Sequence, residues 1–100
     1  MGKIEGWKTI NDQKWVNENN GNVIEIRKDY KTNHGWYIRR FDSEGNNIGM
    51  PILHAHGVDI YKDYIKDTKK GARKSAIQYM RNMDYYHNKI DDQTQRKGFT

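Results

Sequence analysis

The last third of the chain carries apolar residues at helical spacing. The residues of this stripe step by four or three positions: Ala72, Ala76, Met80, Met83 and His87. Positions with that spacing share one face of a helix. Thr68 precedes the stripe and can cap the helix by accepting a hydrogen bond from a backbone N–H. The pattern therefore predicts one long amphipathic helix over residues 68–88.

Before the helix, the apolar positions alternate with polar ones, as in strands. The clearest alternation covers residues 22–28, where Ile24 and Ile26 share one face. Residues 14–18 and 36–42 predict two further strands. Asn and Gly residues tolerate positive φ, so the Asn-Asn-Gly sequence between the first two strands predicts a hairpin turn.

The facing of the third strand is left open by its residues. Trp36 and Ile38 are predicted to point into the core, so that Tyr37, Arg39 and Phe41 face outward. The opposite facing would bury Tyr37 and Phe41, and a shift of one residue exchanges the two.

Other segments give weaker strand signals. Residues 7–10 fit either a short edge strand or a segment that only inserts Trp7 into the core. Residues 48–54 are consistent with a fourth strand, in which Pro51 implies an edge or a bulge. Residues 56–66 fit either a strand or a helical turn, and we favour a last strand over residues 58–65.

These elements predict an α+β domain, in which an antiparallel sheet of three to five strands packs against one long C-terminal helix. One hundred residues suit a single domain, predicted over residues 1–90. Residues 91–100 lack apolar periodicity and are predicted to be a disordered tail. Ile, Leu, Val and Phe total only 17, which predicts a thin core, supported by three Trp and seven Tyr.

Composition excludes several classes of protein. The chain has no cysteine, which rules out disulfides and thiolate metal sites. No apolar run approaches the ~18 residues of a membrane span. The first residues lack the apolar segment of a secretory signal, so a cytoplasmic protein is expected.

Positive charge is concentrated around the predicted helix start. The net charge is +5, and residues 61–74 hold six cations against two acids, a surplus of four. Lys69 and Lys70 in the first turn oppose the helix macrodipole, which favours acidic residues there. A basic patch of this kind favours polyanions or acidic protein surfaces.

Outward arginines and an aromatic residue on a sheet suit contacts with phosphates and bases. The alternative is cross-strand pairing of Arg27 or Arg39 with Glu25. The predicted nucleic-acid-binding residues are Arg27, Tyr37, Arg39, Lys66, Lys69, Lys70, Arg73, Lys74 and Arg81.

Metal and catalytic sites are not predicted. His54 and His56 put two imidazoles on one side of a strand, but a metal site would need a third ligand from His34, His87 or Asp59. The sequence has no Ser/His/Asp signature and no glycine-rich phosphate loop. We therefore expect no enzyme activity and no cofactor.

The layout of Trp15, Asn17, Gly21, the VIEIRK strand, Trp36 and a Thr68-capped helix with AIQYMR resembles small uncharacterised proteins of methanogenic archaea and their viruses. The resemblance covers most of the chain. This chain departs from those proteins in the long insertion between Asn46 and Asp67. It implies a β-meander followed by a helix. The layout is also similar in topology to three-stranded DNA-binding domains that read the major groove with a sheet, which is an analogy of fold alone.

Two functions follow as expectations from the sequence. The first is a small basic accessory protein, without enzyme activity, that binds DNA or RNA through the helix start and the sheet arginines. The second is a protein-binding module, an inhibitor or regulator of viral or mobile-element origin, whose basic patch meets an acidic partner. In either case the protein is expected to be a monomer or a weak dimer, with no membrane partner.

Overall fold

The residues that the structure describes form a five-stranded antiparallel sheet, a separate two-stranded sheet and two helices. A computed structural model describes residues 4–31 and 35–97. The strands are β1 (Trp7–Asn11), β2 (Lys14–Asn17), β3 (Val23–Lys28), β4 (Trp36–Phe41), β5 (Met50–His54), β6 (Gly57–Tyr61) and β7 (Tyr64–Lys66). The helices are α1 (Lys69–Arg81) and α2 (Met83–Lys97). The large sheet has the order β1-β2-β3-β4-β7, and β5 pairs with β6. Among the described residues, neither helix has the apolar length that crossing a membrane requires.

The predicted hairpin turn joins β2 to β3. Gly21 has a φ of 76°, a conformation that glycine adopts without steric cost. The buried Asn17 side chain accepts a hydrogen bond from the backbone N–H of Asn19 at 2.8 Å. This turn sets the register that pairs Trp15 with Ile24, both of which are buried.

The inner face of the large sheet forms the core with α1. Ile24, Ile26 and Ile38 are fully buried there, which confirms the predicted facing of the central strands. Tyr37 is paired with Arg27 and belongs to the outer face. Trp36 packs on the edge of the core and is only partly buried, whereas Trp7 and Trp15 are each 1% exposed.

The prediction of one long helix is wrong, because the helix is interrupted at Asn82. The Asn82 side chain donates a hydrogen bond to the carbonyl of Gln78 at 2.8 Å, and its backbone N–H donates to the carbonyl of Tyr79. α2 begins at the next residue. The predicted cap is confirmed, since Thr68 Oγ1 accepts from the backbone N–H of Gly71 at 3.0 Å.

The predicted last strand over residues 58–65 is also corrected. It divides into β6, which forms a hairpin with β5, and β7, which adds to the large sheet beside β4. Ile65 of β7 pairs with Tyr37 of β4. The predicted fourth strand, β5, therefore lies outside the large sheet.

The C-terminal segment was predicted to be a disordered tail over residues 91–100. The structure places residues 91–97 in α2, and residues 98–100 lie outside the described part. Gln93 bonds to both backbone polar groups of Val58 in β6, with its amide nitrogen 2.9 Å from the carbonyl oxygen. The Gln93 side chain thereby provides hydrogen-bond partners for the backbone at the edge of the small sheet.

Candidate nucleic-acid interface

α1 presents an unusually basic surface. Ala72 and Ala76 are fully buried, and their small side chains let α1 pack closely on the sheet. The helix has no acidic residue, and its basic residues are Lys69, Lys70, Arg73, Lys74 and Arg81. Because Lys69 and Lys70 occupy the first turn, they gain nothing from the helix macrodipole.

Two of these cations are tied to the turn between β1 and β2. Lys69 Nζ lies 2.6 Å from Asp12 Oδ2, and Arg73 Nε donates to the backbone carbonyl of Asp12 at 2.8 Å. The hydrogen bond from Lys69 lowers the pKa of Asp12 below its ordinary value. Lys69 also lies over the ring of Trp36 and Arg73 over that of Trp15. These two side chains therefore help to fix α1 on the sheet.

The other three cations of α1 are unpaired. Within residues 4–31 and 35–97, Lys70, Lys74 and Arg81 take part in no ion pair. They line an open groove along α1 together with Arg73, Ile77, Gln78 and Asn82. We call Lys70, Lys74 and Arg81 the α1 basic stripe. At 1.5 Å per residue, the stripe extends about 16 Å along the helix axis.

Lys66 lies close to the start of α1. It is on β7, and its Cβ is 3.9 Å from the position that a Cβ would take at Gly71. Its Nζ lies 5.2 Å from the centre of the Tyr64 ring. The structure thus brings Lys66 together with the helix-start cations predicted from sequence.

The predicted sheet residues form a second group on the outer face, opposite α1. Arg27 pairs across the strands with Tyr37, and the Arg39 guanidinium lies 4.7 Å from the centre of the Tyr37 ring. Arg27 is 3.4 Å from Glu25, but both residues belong to β3, so this ion pair runs along one strand and not across strands as the alternative expected. Arg39 instead pairs with Asp63 at 2.8 Å. The sheet group and the α1 basic stripe therefore lie on different sides of the sheet.

The outer group belongs to a larger cleft where β3 ends and β4 begins. We call it the β3–β4 cleft; its described lining consists of Arg27, Lys28, Asp29, Tyr30, Lys31, Tyr37, Arg39 and Asp63. Lys28, Tyr30 and Lys31 were missed as site residues. Lys28 ends β3, and Tyr30 and Lys31 follow it without apolar periodicity, so only the structure shows that they line the same cleft as Tyr37.

A buried arginine was also missed. Arg40 is 8% exposed and donates hydrogen bonds to the Gly49 carbonyl at 2.7 Å and to the Tyr79 hydroxyl at 2.6 Å. The Tyr79 hydroxyl lies 2.8 Å from His87 Nε2. Burial raises the pKa of Tyr79, and desolvation together with the Arg40 charge lowers the pKa of His87. The strand alternation that turned Trp36 and Ile38 inward was the signal that also placed Arg40 inside.

In the β5–β6 hairpin, His54 contacts a carboxylate and His56 contacts His54. His54 Nε2 lies 2.6 Å from Asp59 Oδ2, and His54 Nδ1 accepts a hydrogen bond from the backbone N–H of His56. In the part of the chain that the structure describes, no three His, Asp or Glu side chains converge as metal ligands would.

Comparison with protein-family models, with curated proteins and with solved structures found no significant match to this chain. The resemblance to archaeal and viral proteins therefore stays a prediction.

Proposed function

We propose that the protein is a small accessory protein that binds nucleic acid by holding phosphates along α1. The observation that carries the proposal is the α1 basic stripe: Lys70, Lys74 and Arg81 are exposed and have no ion-pair partner among the described residues. Unpaired cations on an acid-free helix create a local positive potential, which attracts polyanions. Contacts with phosphates would release counterions from the nucleic acid.

The dimensions of the stripe suit a duplex. B-DNA has a major groove about 12 Å wide, which admits an α-helix. Successive phosphates of one strand lie about 3.4 Å apart along the duplex axis, so a stripe of about 16 Å is long enough to contact several of them. Lys69 and Arg73 contact Asp12 of the β1–β2 turn, so the backbone of α1 is held in place without using Lys70 or Lys74.

A second candidate is an acidic protein partner. Ile77 lies in the same groove as Lys74 and Arg81. An apolar side chain between cations contributes little to phosphate binding but can pack against apolar side chains of a protein. This candidate uses the same cations, so a direct binding test must separate the two.

The test is fluorescence anisotropy of a short labelled duplex with wild-type protein and the Lys70→Glu/Lys74→Glu variant. Both lysines are exposed, so the variant should keep the wild-type circular dichroism spectrum. We expect it to lose duplex binding at about 50 mM salt. The matched control is Lys8→Glu/Lys89→Glu, which makes the same change in charge at exposed positions of β1 and α2 and should still bind.

Equal loss of binding in the two variants would show that only net charge matters, and would contradict a site on α1. Absence of duplex and RNA binding by the wild-type protein at low salt would contradict the proposal altogether. Capture of an acidic protein that depends on Lys70 and Lys74 would then favour the second candidate.

A further inference from the structure

We propose that the β3–β4 cleft binds an unpaired base and its flanking phosphate, so that the protein engages single-stranded nucleic acid on the side opposite α1. This inference rests on the proposed function, because it names a second contact and a substrate class for the same activity. It depends on three features of the cleft: its charge, its exposed aromatic ring and the fixed position of its floor.

The charge of the cleft is positive. Its lining holds four cations, Arg27, Lys28, Lys31 and Arg39, against two acids. Both acids already have partners within the cleft: Asp63 pairs with Arg39, and Asp29 accepts a hydrogen bond from the backbone N–H of Lys31 at 3.0 Å. Lys28 pairs with Trp36, so strand alternation places its side chain toward the inner face. Among the described residues, Lys31 forms no ion pair and can therefore neutralise a phosphate.

The aromatic ring is Tyr30. It is 83% exposed, more than any other large hydrophobic side chain among the described residues. Within residues 4–31 and 35–97 it has no ring contact and no hydrogen bond through its side chain. A ring left in water beside cations suits a base, because every base has a face that can stack on it.

The floor of the cleft is held in place before any ligand binds. The Tyr37 ring lies under the Arg39 guanidinium, and Arg39 is fixed by Asp63. The Tyr37 hydroxyl hydrogen-bonds to the Asp29 carboxylate, and desolvation together with this bond raises the pKa of Tyr37. The guanidinium plane of Arg39 offers a second stacking surface. Groups ordered in advance lose less entropy on binding.

The exposed Tyr30 ring beside the cations of the cleft favours a single strand over a duplex. Bases of a duplex are stacked on their neighbours and are not available to an exposed tyrosine. A duplex would present only phosphates to the cleft, and the Tyr30 ring would then have no base to stack on. Unpaired bases can be splayed out, so one base can stack on Tyr30 or Arg39 while Lys31 holds its phosphate.

The test compares Tyr30→Ala, Tyr30→Phe and wild type, using labelled oligothymidylate and a labelled duplex as probes. Tyr30 is 83% exposed, so Tyr30→Ala should fold normally. We expect it to weaken oligothymidylate binding by about 5-fold to 100-fold, the effect of losing one base–aromatic stack. Tyr30→Phe should restore binding, and duplex binding should be unchanged. The control is Tyr85→Ala, which removes another exposed tyrosine, from α2.

The outcomes separate this inference from the proposed function. Wild-type affinity of Tyr30→Ala for oligothymidylate would overturn the inference, and so would equal weakening on duplex and single strand. Absence of oligothymidylate binding by the wild-type protein would overturn it too. Loss of duplex binding in Lys70→Glu/Lys74→Glu tests the α1 site alone, so each proposal can fail without the other.

Discussion

Arg40 and Tyr79 meet inside the domain, where the guanidinium Nη1 donates a hydrogen bond to the phenolic oxygen at 2.6 Å. Arg40 belongs to β4 and Tyr79 to α1, so the bond links the large sheet directly to the helix that carries the basic stripe. Tyr79 in turn contacts His87 of α2 at 2.8 Å. The three side chains therefore connect the sheet with both helices.

Removal of the Tyr79 hydroxyl should destabilise the protein. Tyr79→Phe leaves a buried guanidinium nitrogen with one hydrogen bond fewer, and we expect a loss of about 1–3 kcal/mol in the free energy of unfolding. Urea denaturation measures it. Tyr85→Phe serves as the control, because Tyr85 is 51% exposed and should change stability little. Equal stability of the two variants would show that the Arg40–Tyr79 bond contributes nothing.

Stability should fall as the pH drops from about 7 to about 5 because of His87. Desolvation and Arg40 lower the pKa of His87 below its ordinary value of 6.5, while Asp84 and Asp91 on α2 oppose that shift. The unfolded chain therefore binds a proton in this range that the folded chain does not, and this favours unfolding.

The measurement is the midpoint of urea unfolding across this pH range, for wild type and His87→Gln. We expect the substitution to flatten the pH dependence. Asp12 and Asp42 have pKa values lowered from 3.8, so their contribution is lost only at more acidic pH. An unchanged slope in His87→Gln would show that another group causes it.

Gln93 should matter for stability although it lies in a segment with no apolar pattern. Its amide bonds to the backbone N–H and carbonyl of Val58, so Gln93→Ala leaves both groups of a buried residue without that partner. We expect a loss of about 1–3 kcal/mol. Alanine favours helices at least as well as glutamine, so helix propensity cannot explain a loss. Asp92→Ala, at an exposed neighbouring position, is the control; an equal effect there would contradict this role.

The tryptophans should differ in their contribution to the core. Trp15 is 1% exposed, so Trp15→Ala should cost about 3–5 kcal/mol, enough to unfold a marginally stable domain. Trp36 is only partly buried and lies beside Lys69, so Trp36→Ala should cost less. Thermal unfolding of both variants compares them, and a larger loss for Trp36→Ala would contradict the packing described.

Local signals in the sequence predicted the parts of the fold that local interactions determine. The Thr68 cap was predictable because a single hydroxyl and a nearby N–H decide it. The facing of β3 followed from the alternation of Ile24 and Ile26. The break at Asn82 was not predictable, because Met83 and His87 continue the helical spacing. At the break, the Asn82 side chain donates a hydrogen bond to the Gln78 carbonyl.

The candidate site was predicted only in part for a similar reason. The basic residues of α1 are adjacent in sequence, so composition alone identified them. Tyr30 and Tyr37 line one cleft, in which Tyr30 lies just beyond the last paired residue of β3, Lys28 opposite Trp36. Tyr30 and Lys31 follow β3 without apolar periodicity, and sequence patterns do not determine which residues beyond a strand's end approach the neighbouring strand.

The most direct test of phosphate binding by α1 is the salt dependence of duplex affinity for wild type and Lys70→Gln/Lys74→Gln. Each lost phosphate contact should reduce the slope of log K against log salt by about 0.9. If Lys70 and Lys74 each contact a phosphate, the slope of this variant should be shallower by about 2, and Lys8→Gln/Lys89→Gln should keep the wild-type slope. A Lys70→Gln/Lys74→Gln slope equal to that of wild type would contradict the account, because Lys70 and Lys74 would then contact no phosphate.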